Sequence, residues 1–285
     1  MALRLYLTCV LIISLYHIED SYAQGSIKGI LETHTYQTTV KGPKYKKLQV
    51  YLPGNYYTQY HNYPVVYLLH GANGNENSWI DHGKILKDID SLVLCGSIGE
   101  YIYVFPNNNR YYNDFDSIDS HPVNSIDSYL NLNGSIEYSF INDLVTYIDR
   151  TFRTIPTKEY RAIAGLSLGG LQSLYITANV PDMFGHIGLF SPIIYPPLNF
   201  GKHSYIYRYL EGKLKNQFSS AQNLSLYLIM IGEKDPFFKS AYIYSKLLDE
   251  LKCNHSFIKT SGGHTWQNWT MYCNKFLKSL WKQAQ

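Results

Sequence analysis

The feature that most constrains this chain is a series of short apolar runs set off by turn residues. They are PVVYLLHG at 64–71, YIYVFP at 101–106, RAIAGLS at 161–167, HIGLFSP at 186–192, LSLYLIMIG at 224–232 and HSFIKTSGG at 255–263. Continuous apolar runs rich in β-branched and aromatic residues suit strands buried on both faces. Helical patterns lie between them. Ile136, Phe140, Leu144 and Ile148 recur every fourth residue, and Ile243, Leu247, Leu248 and Leu251 make a second stripe. Trp266, Trp269, Cys273, Phe276 and Leu280 trace one face of a last helix. Upstream, SIKGILETHTYQTTV and KLQVYLP read as strands joined by a turn. Strands alternating with helices predict an α/β protein, with a mainly parallel central sheet and helices on both faces. In such sheets reactive groups collect on loops at the carboxyl ends of the strands.

The N-terminus stands apart from this pattern. MALRLYLTCVLIISLYHIEDSYAQG has one Arg, an apolar run at 5–16 and then Ser21-Tyr22-Ala23. That is the form of a secretory signal with a small-x-small cleavage site, too short for a membrane span. The expectation is a signal over 1–23, then a single domain over 24–285 that is secreted or periplasmic, with no membrane contact after cleavage. Charged residues make up 16% of the chain and hydrophobic ones 45%, which excludes disorder. A net charge of +3 is too weak to imply a nucleic-acid partner, and the basic stretch KGPKYKK at 41–47 reads as a turn. Tyr is abundant, at 28 residues; its ring and hydroxyl suit surfaces that touch sugars, or the abundance is a habit of composition. Removing Cys9 with the signal leaves Cys95, Cys253 and Cys273, of which Cys253 and Cys273 could pair. No C-x-x-C or H-E-x-x-H spacing points to a metal. N-x-S/T sequons stand at Asn133, Asn223, Asn254 and Asn268.

The stretch AGLSLGG at 164–170 carries the chemistry. G-x-S-x-G falls between a strand and a helix start, the context of a nucleophile elbow. A sharp turn there needs side-chain-free neighbours and lifts the Ser167 hydroxyl above the sheet at a helix N-terminus. A serine hydroxyl needs a base, and the base needs an orienting carboxylate. In this fold they follow in the order Ser, acid, His. Among later histidines, His186 and His255 open strands and His203 lies in an irregular Tyr-rich segment. His264, in SGGHTW between the last strand and the last helix, is the candidate base. The acid lies in GEKD after LSLYLIMIG: Asp235, followed by Pro, is preferred and Glu233 is the alternative. Two backbone N–H groups should face the developing oxyanion, those of Leu168 and of Ala72 in the loop HGANG. His70 is read as ordering that loop.

These residues carry a resemblance. YLLHGANGNENSW, EYSFINDLVTYIDRTFRT, AGLSLGG, GEKD and GGHTWQNW stand in an order and spacing that resemble the putative-esterase family of α/β-hydrolases. That family includes feruloyl and acetyl-xylan esterases of carbohydrate esterase family one, S-formylglutathione hydrolases and mycolyltransferase-type antigens. The resemblance spans roughly residues 30–282 and implies an α/β-hydrolase fold. It implies Ser167 as nucleophile, Asp235 as acid, His264 as base, Ala72 and Leu168 as oxyanion donors, and no cofactor. A Leu follows the serine where the family often has Met, but only its backbone is needed. The implied activity is that of an exported serine carboxylesterase acting on small-molecule or polysaccharide esters, feruloyl or acetyl. The alternatives are an acyltransferase of the mycolyltransferase type and a non-catalytic carbohydrate-binding protein on the same fold. Tyr111, Tyr112 and Asn113 are candidates to line the acyl pocket, and residues 193–222 a partial lid. Trp266, which follows the base, is a candidate to bind substrate or pack beneath the base, though its helical face favours a core role.

Overall fold

The computed structural model describes residues 28–39, 44–109, 138–194, 212 and 224–281. The proposed signal, Tyr111, Tyr112, Asn113, His203, Asn133, Asn223 and nearly all of 195–222 lie outside them. Among the described residues eight strands form one sheet: β1 Ile30–Gln37, β2 Tyr45–Leu52, β3 Val65–Leu69, β4 Ile102–Pro106, β5 Arg161–Leu166, β6 His186–Phe190, β7 Leu226–Gly232 and β8 Ser256–Thr260. Their order across the sheet is β1-β2-β4-β3-β5-β6-β7-β8. β1 and β2 form an antiparallel pair, β2 lies antiparallel to β4, and the other neighbours run parallel. Each of the six apolar runs supplies one parallel strand.

Helices cover both faces, as burial of both sides of the strands requires. Among the described residues the α-helices are α1 Ser78–Asp81, α2 Ile85–Leu94, α3 Thr146–Thr151, α4 Leu168–Asn179, α5 Phe238–Glu250 and α6 Trp266–Leu277. Alternate residues of β3 show the division. Val65, Tyr67 and Leu69 enter a core with residues of α4 and α5, while Val66 and Leu68 enter one with residues of α2 and α6. The stripe at Phe140, Leu144 and Ile148 is helical, but Ser139–Val145 is wound as a π-helix before α3 begins.

Two sequence expectations change here. Cys253 and Cys273 are both free, buried thiols. They belong to the cores on opposite faces of the sheet, so no bridge can join them. The sequon at Asn268 is closed to a glycan, because Asn268 is buried and its side-chain amide donates to Ser261 O and Tyr272 Oη.

The core also holds two neutral imidazoles. Burial pulls His70 and His186 down to about 4. Below the ordinary pKa of about 6.5 the unfolded chain takes up a proton at each site while the folded chain does not. Stability should therefore fall as pH falls from about 6.5 to about 4, by up to roughly 3 kcal/mol per histidine. Urea unfolding at a series of pH values measures this, and the slope should flatten in His186→Phe.

Candidate active site

The chain switches direction across the sheet between β3 and β5: β4 lies on one side of β3, and β5 with everything after it on the other. A crevice opens at the carboxyl ends of strands at such a point. The loop after β3 and the turn after β5 flank it. Ser167 sits on that turn with φ of 54° and ψ of −115°, a backbone state rare for a residue with a side chain. The turn closes only because its neighbours are bare. A Cβ on Gly165 would lie 2.4 Å from the Gly169 backbone, and one on Gly169 would lie 2.4 Å from His70 O. The strain is held by the surroundings: Ser167 N–H donates to Phe190 O at 2.8 Å, and Ser167 O accepts from Ile193 N–H at 3.1 Å.

The structure brings Ser167, His264 and Asp235 together across 97 residues of chain. His264 Nε2 lies 2.9 Å from Ser167 Oγ, and His264 Nδ1 lies 2.9 Å from Asp235 Oδ2. A carboxylate only accepts, so Nδ1 carries the proton and Nε2 accepts from the serine hydroxyl. Asp235 is buried, and its other oxygen accepts from Phe237 N–H at 2.9 Å. Glu233, the other carboxylate of the loop, is exposed, with its backbone N–H tied to Thr260 O. Phe237 and Trp269 hold the His264 ring edge-on, with centroids 5.1 and 4.9 Å away.

Ala72 and Leu168 both border this point. Leu168 begins α4, so its N–H is among the first-turn donors with no acceptor inside the helix. Ala72 follows Gly71, where a Cβ would come within 3.3 Å of Ser167 Cβ, so the loop passes directly over the serine. That loop is tied down by a hydrogen-bond network of which the sequence shows only His70. His70 Nδ1–H donates to Gly71 O at 2.7 Å, and Nε2 accepts from Asn108 N–H at 3.3 Å. Asn108 in turn donates to Gln172 Oε1 on α4, Asn107 to Glu76, and Asn109 to Gly74 O. Three consecutive asparagines after a buried strand were the available signal.

Trp266 takes the core role that its helical face favours, rather than a place beneath His264. Its ring packs against Trp79, Trp269 and His82, at 5.4, 5.3 and 5.6 Å. Trp269, three residues on, contacts His264 instead. The two positions differ by less than one helical turn, so the apolar stripe does not choose between them.

The loops that carry Asp235 and His264 cross at two glycines. A Cβ on Gly232 would fall 2.3 Å from Gly262 O, and Gly262 itself has φ of +85°. Gly262 O accepts from Lys234 N–H at 3.0 Å. Asn268 braces the crossing through Ser261 O, with Tyr272 Oη and Thr260 Oγ1 continuing the chain at 2.9 and 2.6 Å. Gly232→Ala should therefore shift Asp235 relative to His264. We expect any reaction at this site to slow roughly a hundredfold, with a stability loss of about 1–3 kcal/mol, measured by turnover and urea unfolding.

The family model described as "Putative esterase" matches residues 43–279. An endo-1,4-beta-xylanase/feruloyl esterase of Xylanibacter ruminicola is 33% identical over 181 residues, or 62% of this chain. The match spans only 23% of that relative's length. A ferulic acid esterase structure superposes with a TM-score of 0.74 at 22% identity, covering 89% of this chain and 97% of the other. A CE1 ferulic acid esterase of Anaeromyces mucronatus, solved with ferulic acid, gives 0.72 at 23% identity over 88% and 90% of the two chains. At these identities the superpositions speak for a shared α/β-hydrolase fold.

Proposed function

The chain belongs to the "Putative esterase" family, and from that premise we propose that it is a serine carboxylesterase working through Ser167, His264 and Asp235. The observation that carries the reading is the unbroken hydrogen-bonded line from Ser167 Oγ through the imidazole to a buried carboxylate. Ser167 attacks the ester carbonyl carbon as His264 Nε2 takes its proton. Asp235 holds the Nδ1–H tautomer and stabilises the imidazolium that forms. The carbonyl oxygen, now an anion, meets the N–H groups of Leu168 and Ala72. His264 then protonates the leaving alcohol, and water repeats the sequence on the acyl-enzyme to release the acid.

For the substrate we favour feruloyl or acetyl esters carried by polysaccharides. The Xylanibacter relative, named as both xylanase and feruloyl esterase, supports this, as does the ferulic acid bound in the Anaeromyces structure. Phe237, half-buried against His264, offers an aromatic wall beside the reacting centre. The export pattern in residues 1–23 supports a place outside the cytoplasm, where such polymers lie. The test is hydrolysis of p-nitrophenyl acetate and methyl ferulate, with and without a sugar acceptor. Turnover of both, unchanged by the acceptor, is the expected result. Ester transfer to the acceptor in place of hydrolysis would make it an acyltransferase. No reaction with either ester, and none with a fluorophosphonate, would leave a binding protein.

A further inference from the structure

We infer that Asn108 and Gln172 clamp together the two segments that supply the N–H groups of Ala72 and Leu168, and so set their convergence on the oxyanion. The inference deepens the esterase reading above and rests on it. Both are positioning residues, acting through His70 and α4 rather than on the ester.

Oxyanion stabilisation depends on where the donors point, since a misplacement of about 1 Å can cost roughly a hundredfold in rate. The two donors come from separate segments, Ala72 from the loop after β3 and Leu168 from the first turn of α4. The aim of the first is set by its own peptide unit. No peptide bond among the described residues is cis. In a trans peptide the C=O and N–H point to opposite sides, and the carbonyl of Gly71 shares its peptide with the N–H of Ala72. Gly71 O accepts from His70 Nδ1–H at 2.7 Å and from Gly74 N–H at 3.2 Å. Whatever holds the His70 ring therefore aims the Ala72 N–H.

Asn108 holds that ring. Gly71 O can only accept, so Nδ1 carries the proton and Nε2 is left to accept from Asn108 N–H, at 3.3 Å. Burial pulls His70 down to about 4, which preserves this neutral form near neutral pH. The same asparagine reaches α4. Its side-chain amide donates to Gln172 Oε1, and Gln172 Nε2–H returns a bond to Asn108 O at 3.4 Å. Gln172 is buried and stands about one helical turn after Leu168. Next in the chain, Asn109 Nδ2–H donates to Gly74 O at 2.8 Å and ties the far end of the 71–74 turn. The clamp thus registers α4, which carries the Leu168 N–H, against the peptide that carries the Ala72 N–H.

The test compares wild type, Ser167→Ala, Asn108→Ala and Gln172→Met on p-nitrophenyl acetate, with benzyl trifluoromethyl ketone as inhibitor. Ser167 Oγ adds to the carbonyl carbon of that ketone, its proton passes to His264, and the carbonyl oxygen becomes a bound oxyanion. Asn108→Ala keeps the backbone N–H on His70 and removes the side-chain bond to α4. Gln172→Met keeps most of the volume and cuts the link from the other end. In both, kcat should fall about ten- to a hundredfold while KM stays within about a factor of two, because the donors act on the transition state. Ki for the ketone should rise by the same factor as kcat falls. A merely structural role would leave fewer active molecules, which lowers kcat and leaves Ki where it was. The double variant should lose little more than the larger single loss, since both substitutions loosen one link. Wild-type turnover with both variants unimpaired would remove the clamp and keep the esterase. So would a fall in kcat at unchanged Ki, or losses that multiply in the double variant. No turnover by wild type, or full turnover by Ser167→Ala, would remove the esterase reading and the clamp with it.

Discussion

Replacing Ser167 with Ala is expected to lower kcat for ester hydrolysis by roughly a thousand- to a million-fold, with the fold intact. The hydroxyl is the only atom lost. The strained backbone at φ of 54° suits Ala no worse than Ser, and its hydrogen bonds to Phe190 and Ile193 come from the main chain. The unfolding midpoint in urea should therefore move little while turnover and labelling by a fluorophosphonate vanish. Retained turnover would remove Ser167 from the reaction and with it the mechanism proposed above.

The second large effect is expected from Asp235→Asn, and the direction of the amide decides it. Asp235 Oδ1 accepts from Phe237 N–H, while Oδ2 faces His264 Nδ1. An Asn in this place keeps its oxygen toward the Phe237 N–H, which turns its NH2 toward the imidazole. His264 must then accept at Nδ1 and carry its proton on Nε2, where it cannot take one from Ser167. The expected loss in kcat is roughly ten-thousand-fold, from a change that barely alters shape. Glu233→Gln, two residues away on the same loop, should leave turnover within a factor of about two, since its side chain is exposed. A large loss in Glu233→Gln with none in Asp235→Asn would reverse the choice of acid.

Much of the site was legible because its chemistry depends on local backbone geometry. Gly165, Ser167 and Gly169 announce a strand-to-helix turn that admits no side chains at its flanks, and the structure shows contacts of 2.4 Å waiting for them. His264 was legible because glycines precede it and a helix follows, which leaves it on a loop at a strand end. The strands themselves were readable because a sheet buried on both faces demands unbroken apolar runs.

Other choices needed the third dimension. Glu233 and Asp235 are equivalent in pattern; the turn at Gly232 and the crossing at Gly262 send one side chain to solvent and the other beneath His264. Trp266 and Trp269 share a helical stripe, and only the packing of Trp79 and His82 against the first leaves the second for the base. Cys253 and Cys273 look like a pair until a sheet is placed between them. Asn268 reads as a glycan acceptor until its amide is spent on the loop that carries His264. By itself, then, the sequence determined the class of fold, the turn that carries Ser167 and the candidate base, because these follow from periodicity and backbone sterics within a few residues. Which carboxylate, which tryptophan and which thiols meet was decided by tertiary structure, because those contacts join segments far apart in the chain and depend on which face of the sheet each one reaches.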